Sequence, residues 1–454
     1  MASGLVLSVP AQWKGFTSFD SYAVKKNINL LHITDITADG IPDMLALYTA
    51  ADTEMGLLKG KTNAKFLPEI SLPKAENYFP SDLADLNRDG FTDLVISSYW
   101  ANGFTIHWGN GSGTFSTGDF MPTGIHGKEI KCTDINKDGI MDIIAATSGS
   151  GRPIYLHVFI GRGDGSFHPK KSFPSLLDTS KEIFITDKNN DGLPDIVISS
   201  SFPWLLIWYQ QPDGNFEAKY IPVGTTAKAG IADFNRDGRD DLLLYYSSFD
   251  NDPDADSIVI KLNTGDSTYS NSIPVTIPAG MKIRPSELKI ADINKDGYAD
   301  LFIGHINESG YRTDTLYCLM GQGNIRFNTP EPIVLPAAVT TFALADVDGD
   351  GVEDLIAAGN NQHLYVSLNK LLDGQNAVSG IQVFPNPARN IINIRDLKYR
   401  NKTMKIYNAA GQQVYQANSK DQLSPLFIPH LAVGTYYLSI QMPAERITLP
   451  FQKR

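Results

Sequence analysis

A nine-residue pattern governs what this chain can fold into: DLNRDGFTD, beginning at Asp85, recurs six more times in register. The other copies read DITADGIPD from Asp35, DINKDGIMD from Asp134, DKNNDGLPD from Asp187, DFNRDGRDD from Asp233, DINKDGYAD from Asp292 and DVDGDGVED from Asp346. Their first residues lie 50, 49, 53, 46, 59 and 54 positions apart. A period of that length marks one supersecondary unit stacked on its own copies, because a single such unit cannot bury a core alone.

Within each copy, oxygen-bearing side chains occupy positions one, three, five and nine, and Gly occupies position six. The sets are Asp35, Thr37, Asp39 and Asp43; Asp85, Asn87, Asp89 and Asp93; Asp134, Asn136, Asp138 and Asp142; Asp187, Asn189, Asp191 and Asp195; Asp233, Asn235, Asp237 and Asp241; Asp292, Asn294, Asp296 and Asp300; and Asp346, Asp348, Asp350 and Asp354. A hard cation such as Ca2+ takes about six to eight oxygen ligands, and a Gly lets the chain turn sharply around it. Asp-Gly and Asn-rich segments also make plain turns, but seven in register favour up to seven structural Ca2+ sites. Thr37 is the departure: it offers neither carboxylate nor amide, so the first site is expected to be weak or completed by water. An EF-hand is excluded, since its bidentate Glu at position twelve is replaced by Ala46, Ile96, Ala145, Ile198, Leu244, Ile303 and Ala357.

Charge bears on partners. The formal net charge is −11, yet 22 Asp occupy the loop positions, and seven divalent ions would more than offset the deficit. The acidity therefore belongs to the loops and argues against a nucleic-acid partner, which needs a basic stripe. No apolar run reaches the roughly 18 to 20 residues of a membrane span. The opening MASGLVLSVPAQWKGF lacks a basic n-region and a full apolar h-region, so it does not read as a signal peptide. Cys132 and Cys318 fall in different repeats and read as free, buried thiols.

Each loop is followed by a short apolar, partly β-branched run such as DLVISS or DIVISS, which reads as a buried strand. The loop thus lies inside a hairpin, and the period suits a four-stranded propeller blade. Strand one precedes the loop and strand two follows it. Strand three ends in a Gly-rich turn and an aromatic, as in WGNGSGTF and IGRGDGSF, and strand four leads to the next unit. With these motifs the chain resembles, over about residues 1 to 370, the FG-GAP or VCBS repeat family, whose calcium-loop propellers include the integrin α-subunit head and several fungal and bacterial lectins. Phe16 precedes Asp35 by 19 residues, as Phe66 precedes Asp85, so the N-terminal segment imitates the tail of a unit and is expected to complete the last blade.

The fold class expected is all-β: a seven-bladed β-propeller over 1–372, a linker over 373–380 and a small antiparallel β-sandwich over 381–454. The tail resembles the type A C-terminal sorting domain of the type IX secretion system through Pro385, Asn386, Pro387, Gly411 and Gly434. That resemblance implies a Bacteroidota-type protein, secreted or held at the cell surface, with the secretion machinery as one partner.

Strand order puts the acidic loops and the Gly-rich turns at one end and the strand two-to-three connections at the other. Those connections carry Tyr99, Trp100, Arg152, Phe202, Trp204, Tyr311 and Arg312, a set suited to stacking on sugar rings or anchoring a protein. Strand one should line the central channel with His32, Asp82, Glu129, Lys131, Glu182, Lys228, Glu287 and Lys289. The Arg162-Gly163-Asp164 triplet has the form of an adhesion motif but occupies a Gly-rich turn, where it reads as turn chemistry. The function expected is a non-catalytic binding protein, adhesin- or lectin-like, for a glycan or extracellular protein on the face opposite the loops. The alternative is a carbohydrate-active enzyme, a polysaccharide lyase or dehydratase, acting at the channel mouth through those charges.

Overall fold

The computed structural model describes residues 15–16, 18–48, 54–73, 78–98, 102–116, 118–124, 127–149, 152–175, 182–199, 204–224, 228–246, 257–265, 268–276, 284–306 and 311–369. In the tail it describes 381–384, 391–396, 402–408, 412–419, 423–428, 431–432, 434–441 and 446–453. The chain divides into two compact units, Trp13–Lys370 and one that includes Leu371–Arg454.

Among the described residues the first unit holds seven four-stranded antiparallel sheets. Six follow the chain directly, as in Tyr78–Ala84, Asp93–Ser98, Gly103–His107 and Asp119–Pro122. In the seventh, the strands Val339–Ala345, Asp354–Gly359 and His363–Ser367 are joined by the early strand Asp20–Ala23, with Asp20 opposite Val366. First and last parts of the ring are thus closed by backbone hydrogen bonds, which removes two free sheet edges.

The strand after each acidic loop is buried on both faces, which explains its unbroken apolar run. Its alternate side chains feed two different cores, as period-two geometry requires. Leu94 and Ile96 pack towards the first sheet, while Val95 packs with Ile130 and Ile143 of the third. Ile143 and Ala145 turn back to the second sheet, and Ile144 and Ala146 meet Ile183 and Ile196 of the fourth. The same alternation continues through the fifth, sixth and seventh sheets. It returns to the first where Ile356 and Val366 pack with Met44 and Leu58. The cores therefore lie between sheets, in a closed β-propeller ring.

Cys132 and Cys318 are free thiols on different sheets. Cys318 is buried, but Cys132 is only partly so, packed against the core between the second and third sheets. Among the described residues the second unit contains two antiparallel sheets. One pairs Ile381–Phe384, Ile391–Asp396 and Leu423–Phe427; the other runs Gln413–Ser419, Lys402–Asn408, Gly434–Gln441, Arg446–Lys453. Met404, Ile406, Tyr436 and Leu438 are buried within it. Pro385, Asn386, Pro387 and Gly411 lie outside the described residues, while Gly434 opens the strand Gly434–Gln441.

Candidate functional site

The acidic loops share one internal construction. The position-nine carboxylates Asp43, Asp93, Asp142, Asp195, Asp241, Asp300 and Asp354 are fully buried. One oxygen of each accepts the position-two N–H of its own loop, from Ile36, Leu86, Ile135, Lys188, Phe234, Ile293 and Val347, at 2.8 to 3.0 Å. The other accepts an N–H at the end of strand three, from Gly60, Gly109, Gly161, Gln210, Asn263, Gly321 and Asn369, at 2.7 to 2.9 Å. Each Asp therefore clamps its loop to the end of the third strand of its own sheet. Burial pushes the carboxyls of Asp93, Asp142, Asp195 and Asp241 up to about 6, against the pull of their two N–H partners. Asp300 and Asp354 are pushed up to about 7 for the same reason.

The turn itself is built from Asx geometry. The position-one carboxylate accepts the N–H of the position-six Gly at 2.8 to 3.0 Å. The position-five carboxylate accepts the N–H two residues on, also at 2.8 to 3.0 Å. A feature that sequence reasoning missed is position four, which is left-handed in every loop: Ala38, Arg88, Lys137, Asn190, Arg236 and Lys295 have φ from 55° to 62°, and Gly349 has 76°. Position four carries a long cation in four loops, which was the available signal.

The donor set suits a hard cation: carboxylate and amide oxygens gathered on one tight turn. In the last loop, ligand atoms of Asp346, Asp348 and Asp354 all lie within 4.8 Å of one another. In the second loop Asp85 Oδ1 is buried with no hydrogen-bond partner, and so is Thr37 Oγ1 in the first. An oxygen buried without a donor is costly unless a cation meets it, so the residues present fit Ca2+.

At the opposite end, Trp204 opens the strand Trp204–Gln210 and is 41% exposed, and Tyr311 stands 72% exposed just before Arg312–Leu319. Arg312 is exposed beside it. Trp204 thus begins the third strand of its sheet, and Tyr311 lies on the strand two-to-three connection of its own. Tyr99, Trp100 and Phe202 lie outside the described residues, as does the side chain of Arg152.

The inner strands surround a cavity of about 810 Å3, lined by His32, Asp82, Glu129, Lys131, Glu182 and Lys289 among others. Burial holds His32 down to about 4, so its imidazole is neutral, and its Nε2 lies 2.8 Å from Ser81 Oγ. Asp82 Oδ2 accepts the Cys132 N–H at 2.9 Å and lies 3.7 Å from Lys131 Nζ. Glu287, expected on the axis, is instead turned to the neighbouring inner strand. Its oxygens accept from Thr341 Oγ1 at 3.1 Å and from the Phe342 N–H at 3.2 Å. The Lys228 side chain lies outside the described residues.

The Arg162-Gly163-Asp164 triplet sits at the acidic end. Gly163 has φ 76°, and Asp164 Oδ1 accepts from both Ser166 N and Ser166 Oγ, at 2.9 and 2.6 Å. Those two bonds hold the Asp164 carboxyl below its usual range. The triplet is thus used in its own turn.

Comparison with known proteins agrees with this architecture. The FG-GAP-like repeat model matches residues 35–96, 85–145, 134–198, 187–244, 233–303 and 292–357, and a secretion system C-terminal sorting domain model matches 382–450. The phosphatidylinositol-glycan-specific phospholipase D of Mus musculus is 25% identical over 233 residues, 42% of this chain and 28% of that protein. The Rattus norvegicus protein is 24% identical over 234 residues, 42% and 27%. The chain thus spans little more than a quarter of these relatives. Among solved structures, an Agrocybe aegerita lectin that recognises non-reducing terminal N-acetylglucosamine has TM-score 0.50 and 16% identity, covering 69% of this chain and 81% of the lectin. PorZ, a surface component of the type IX secretion system of Porphyromonas gingivalis, has TM-score 0.46 and 12% identity, covering 100% and 61%. The chain belongs to the FG-GAP-like repeat family, and the type IX secretion system sorting domain at its end makes it a secreted or cell-surface protein.

Proposed function

We propose that this protein is a non-catalytic binding propeller, that its acidic loops hold structural Ca2+, and that it takes a glycan on the face opposite those loops. The observation that carries the glycan reading is the exposure of Trp204 and Tyr311 on that face, beside Arg312. A sugar presents apolar C–H faces for an aromatic ring and hydroxyls for a guanidinium, so such a pair of rings supplies contact area at low entropic cost. The lectin of similar fold, which recognises terminal N-acetylglucosamine, supports a sugar as the first ligand class to try. Bound Ca2+ supplies charge compensation within each loop. The position-nine carboxylates, clamped by two N–H groups apiece, hold that loop in shape.

A second reading is favoured by the convergence of Glu129, Glu182 and His32 on the central cavity. Carboxylates and a neutral imidazole at one mouth are the equipment of a carbohydrate lyase or dehydratase. One experiment separates the two: the full chain is passed over a glycan panel, and every bound glycan is analysed for shortened or unsaturated product. Binding without product, weakened by Trp204→Ala, supports the first reading. Product formation that is lost in Glu129→Gln or Glu182→Gln supports the second. An extracellular protein replaces the glycan as partner if the panel is silent and Trp204→Ala instead abolishes attachment to a host or bacterial surface.

A further inference from the structure

Around the acidic end of the ring, consecutive loops touch through side chains. Thr92 Oγ1 donates to the Asp35 carbonyl at 3.1 Å. Lys137 Nζ donates to the Gly192 carbonyl, and Lys188 Nζ to the Asp240 carbonyl. The Arg236 guanidinium lies 4.7 Å over the Tyr298 ring, and Lys295 Nζ lies 2.8 Å from Glu353 Oε2.

Three of these donors, Lys137, Arg236 and Lys295, are the left-handed fourth residues of their loops. Their partners, Gly192, Tyr298 and Glu353, stand at positions six, seven and eight of the following loop. None of these contacts uses a side-chain oxygen at position one, three, five or nine. The contacts therefore hold the next loop's turn without occupying those oxygens.

The last junction is the most completely built. Buried Asn369 donates through Nδ2 to the Ile293 carbonyl of the sixth loop at 2.8 Å and to the Glu353 carbonyl of the seventh at 3.2 Å. Its N–H donates to Asp354 Oδ1 at 2.7 Å. Lys295 grips the same Glu353 from the solvent side. The loop so held is the one in which Asp346, Asp348 and Asp354 converge.

We propose that Lys295, a residue of the sixth loop, is a positioning residue for cation binding by the seventh loop. The proposal rests on the reading of the loops as Ca2+ sites. Lys295 fixes Glu353, and through the peptide bond Asp354, where the carboxylates of Asp346 and Asp348 meet it. Loss of that restraint makes the ion order the loop as it binds, which lowers affinity. An exposed ion pair of this kind is worth up to about fivefold in an equilibrium.

The test is calorimetric titration of the full chain with CaCl2, alongside its melting temperature without calcium. Lys295→Ala is expected to weaken one site about three- to fivefold and leave the calcium-free melting temperature unchanged. Exchanging the partners, Lys295→Glu with Glu353→Lys, restores the affinity to within about twofold, since it rebuilds the pair at constant net charge. In a chain whose seventh loop is disabled by Asp346→Asn and Asp348→Asn, Lys295→Ala changes nothing further. An unchanged or tighter site in Lys295→Ala overturns the proposal, because the lysine then acts only as a repelling charge. A loss that persists with the seventh loop disabled also overturns it, since the lysine then serves only its own loop. A wild-type chain that takes up no Ca2+ overturns the calcium reading itself, and this proposal with it.

Discussion

Asn369 donates its side-chain amide to the main-chain carbonyl of Ile293, 76 residues earlier in the chain, at 2.8 Å. Asn263 makes the equivalent bond to Lys188 at 3.1 Å. In each case a buried amide ties the end of one sheet's third strand to the loop of the sheet before it. Asn369→Ala leaves the Ile293 carbonyl buried and unpaired, and an unmade buried bond costs about 1 to 3 kcal/mol. The expected result is a melting temperature lowered by several degrees, with or without calcium. A variant as stable as wild type would show that water replaces the amide.

Positions five and nine of a loop are expected to separate cleanly. Asp195 is buried and accepts the N–H groups of Lys188 and Gln210, at 2.8 and 2.9 Å. Asp191 is exposed and accepts that of Leu193. Asp195→Ala strands two buried donors and should destabilise the ring by roughly 2 to 5 kcal/mol whether or not calcium is present. Asp191→Ala loses only exposed turn bonds without calcium, and its larger cost should appear in calcium, where it removes a proposed ligand. Chelation of the wild type should lower its melting temperature, since a ligand that binds only the folded state stabilises it by mass action. The first loop, with Thr37, should release its ion at the lowest chelator concentration. Identical melting curves in calcium and in EDTA would remove the metal from the account.

How much of this was legible in the sequence follows from where the information lay. The repeat announced the loops and the strands after them, and the Pro-Asn-Pro and glycine motifs announced the tail, because those are local patterns along the chain. The role of Asp82 and Glu287 was not legible. Both were read as facing the channel; Asp82 does line the central cavity while Glu287 does not, and each also accepts an N–H from the adjacent inner strand, Cys132 in one case and Phe342 in the other. An inner strand leaves backbone donors along its open edge, and a carboxylate from the next sheet satisfies them. That pairing depends on how two sheets sit side by side, which no single repeat encodes. The inter-loop contacts of Lys137, Arg236 and Lys295 were hidden for the same reason.

Acid should weaken the third sheet through His157. The ring is buried, with Nδ1 2.8 Å from Ser172 Oγ and Nε2 without a partner, and it stacks on Tyr155 at 5.9 Å. Burial, with the charge of Lys170 adding to it, holds its pKa down to about 4. The unfolded chain binds the proton near the ordinary value of about 6.5. The folded state therefore binds fewer protons between those values, and stability is lost as pH falls from about 6.5 towards 4. At pH 5 the loss attributable to this group is at most about 2 kcal/mol. His157→Gln should flatten that part of the melting temperature's pH dependence, measured from pH 7 to 5. An unchanged slope in the variant would assign the acid sensitivity elsewhere.

The two tryptophans of one strand give the sharpest test of the binding face. Trp204 and Trp208 both lie on Trp204–Gln210, four residues apart, yet Trp204 is 41% exposed while Trp208 is buried against Phe173, ring centroids 5.7 Å apart. Trp208→Ala empties a site between the third and fourth sheets and should cost about 3 to 5 kcal/mol, as large core truncations do. Trp204→Ala removes a ring already half in water, so the melting temperature should move by no more than a degree or two. Its effect should appear in binding instead. An aromatic stacked on a partner contributes about 0.5 to 1.5 kcal/mol beyond its buried area, which corresponds to a several-fold weaker affinity for any retained glycan. Tyr311→Ala, at the strand two-to-three connection two sheets away, should behave as Trp204→Ala does if both rings meet the same ligand. If Trp204→Ala instead melts the ring and leaves binding intact, the ring is part of the packing and the ligand sits elsewhere, with the central cavity next in line.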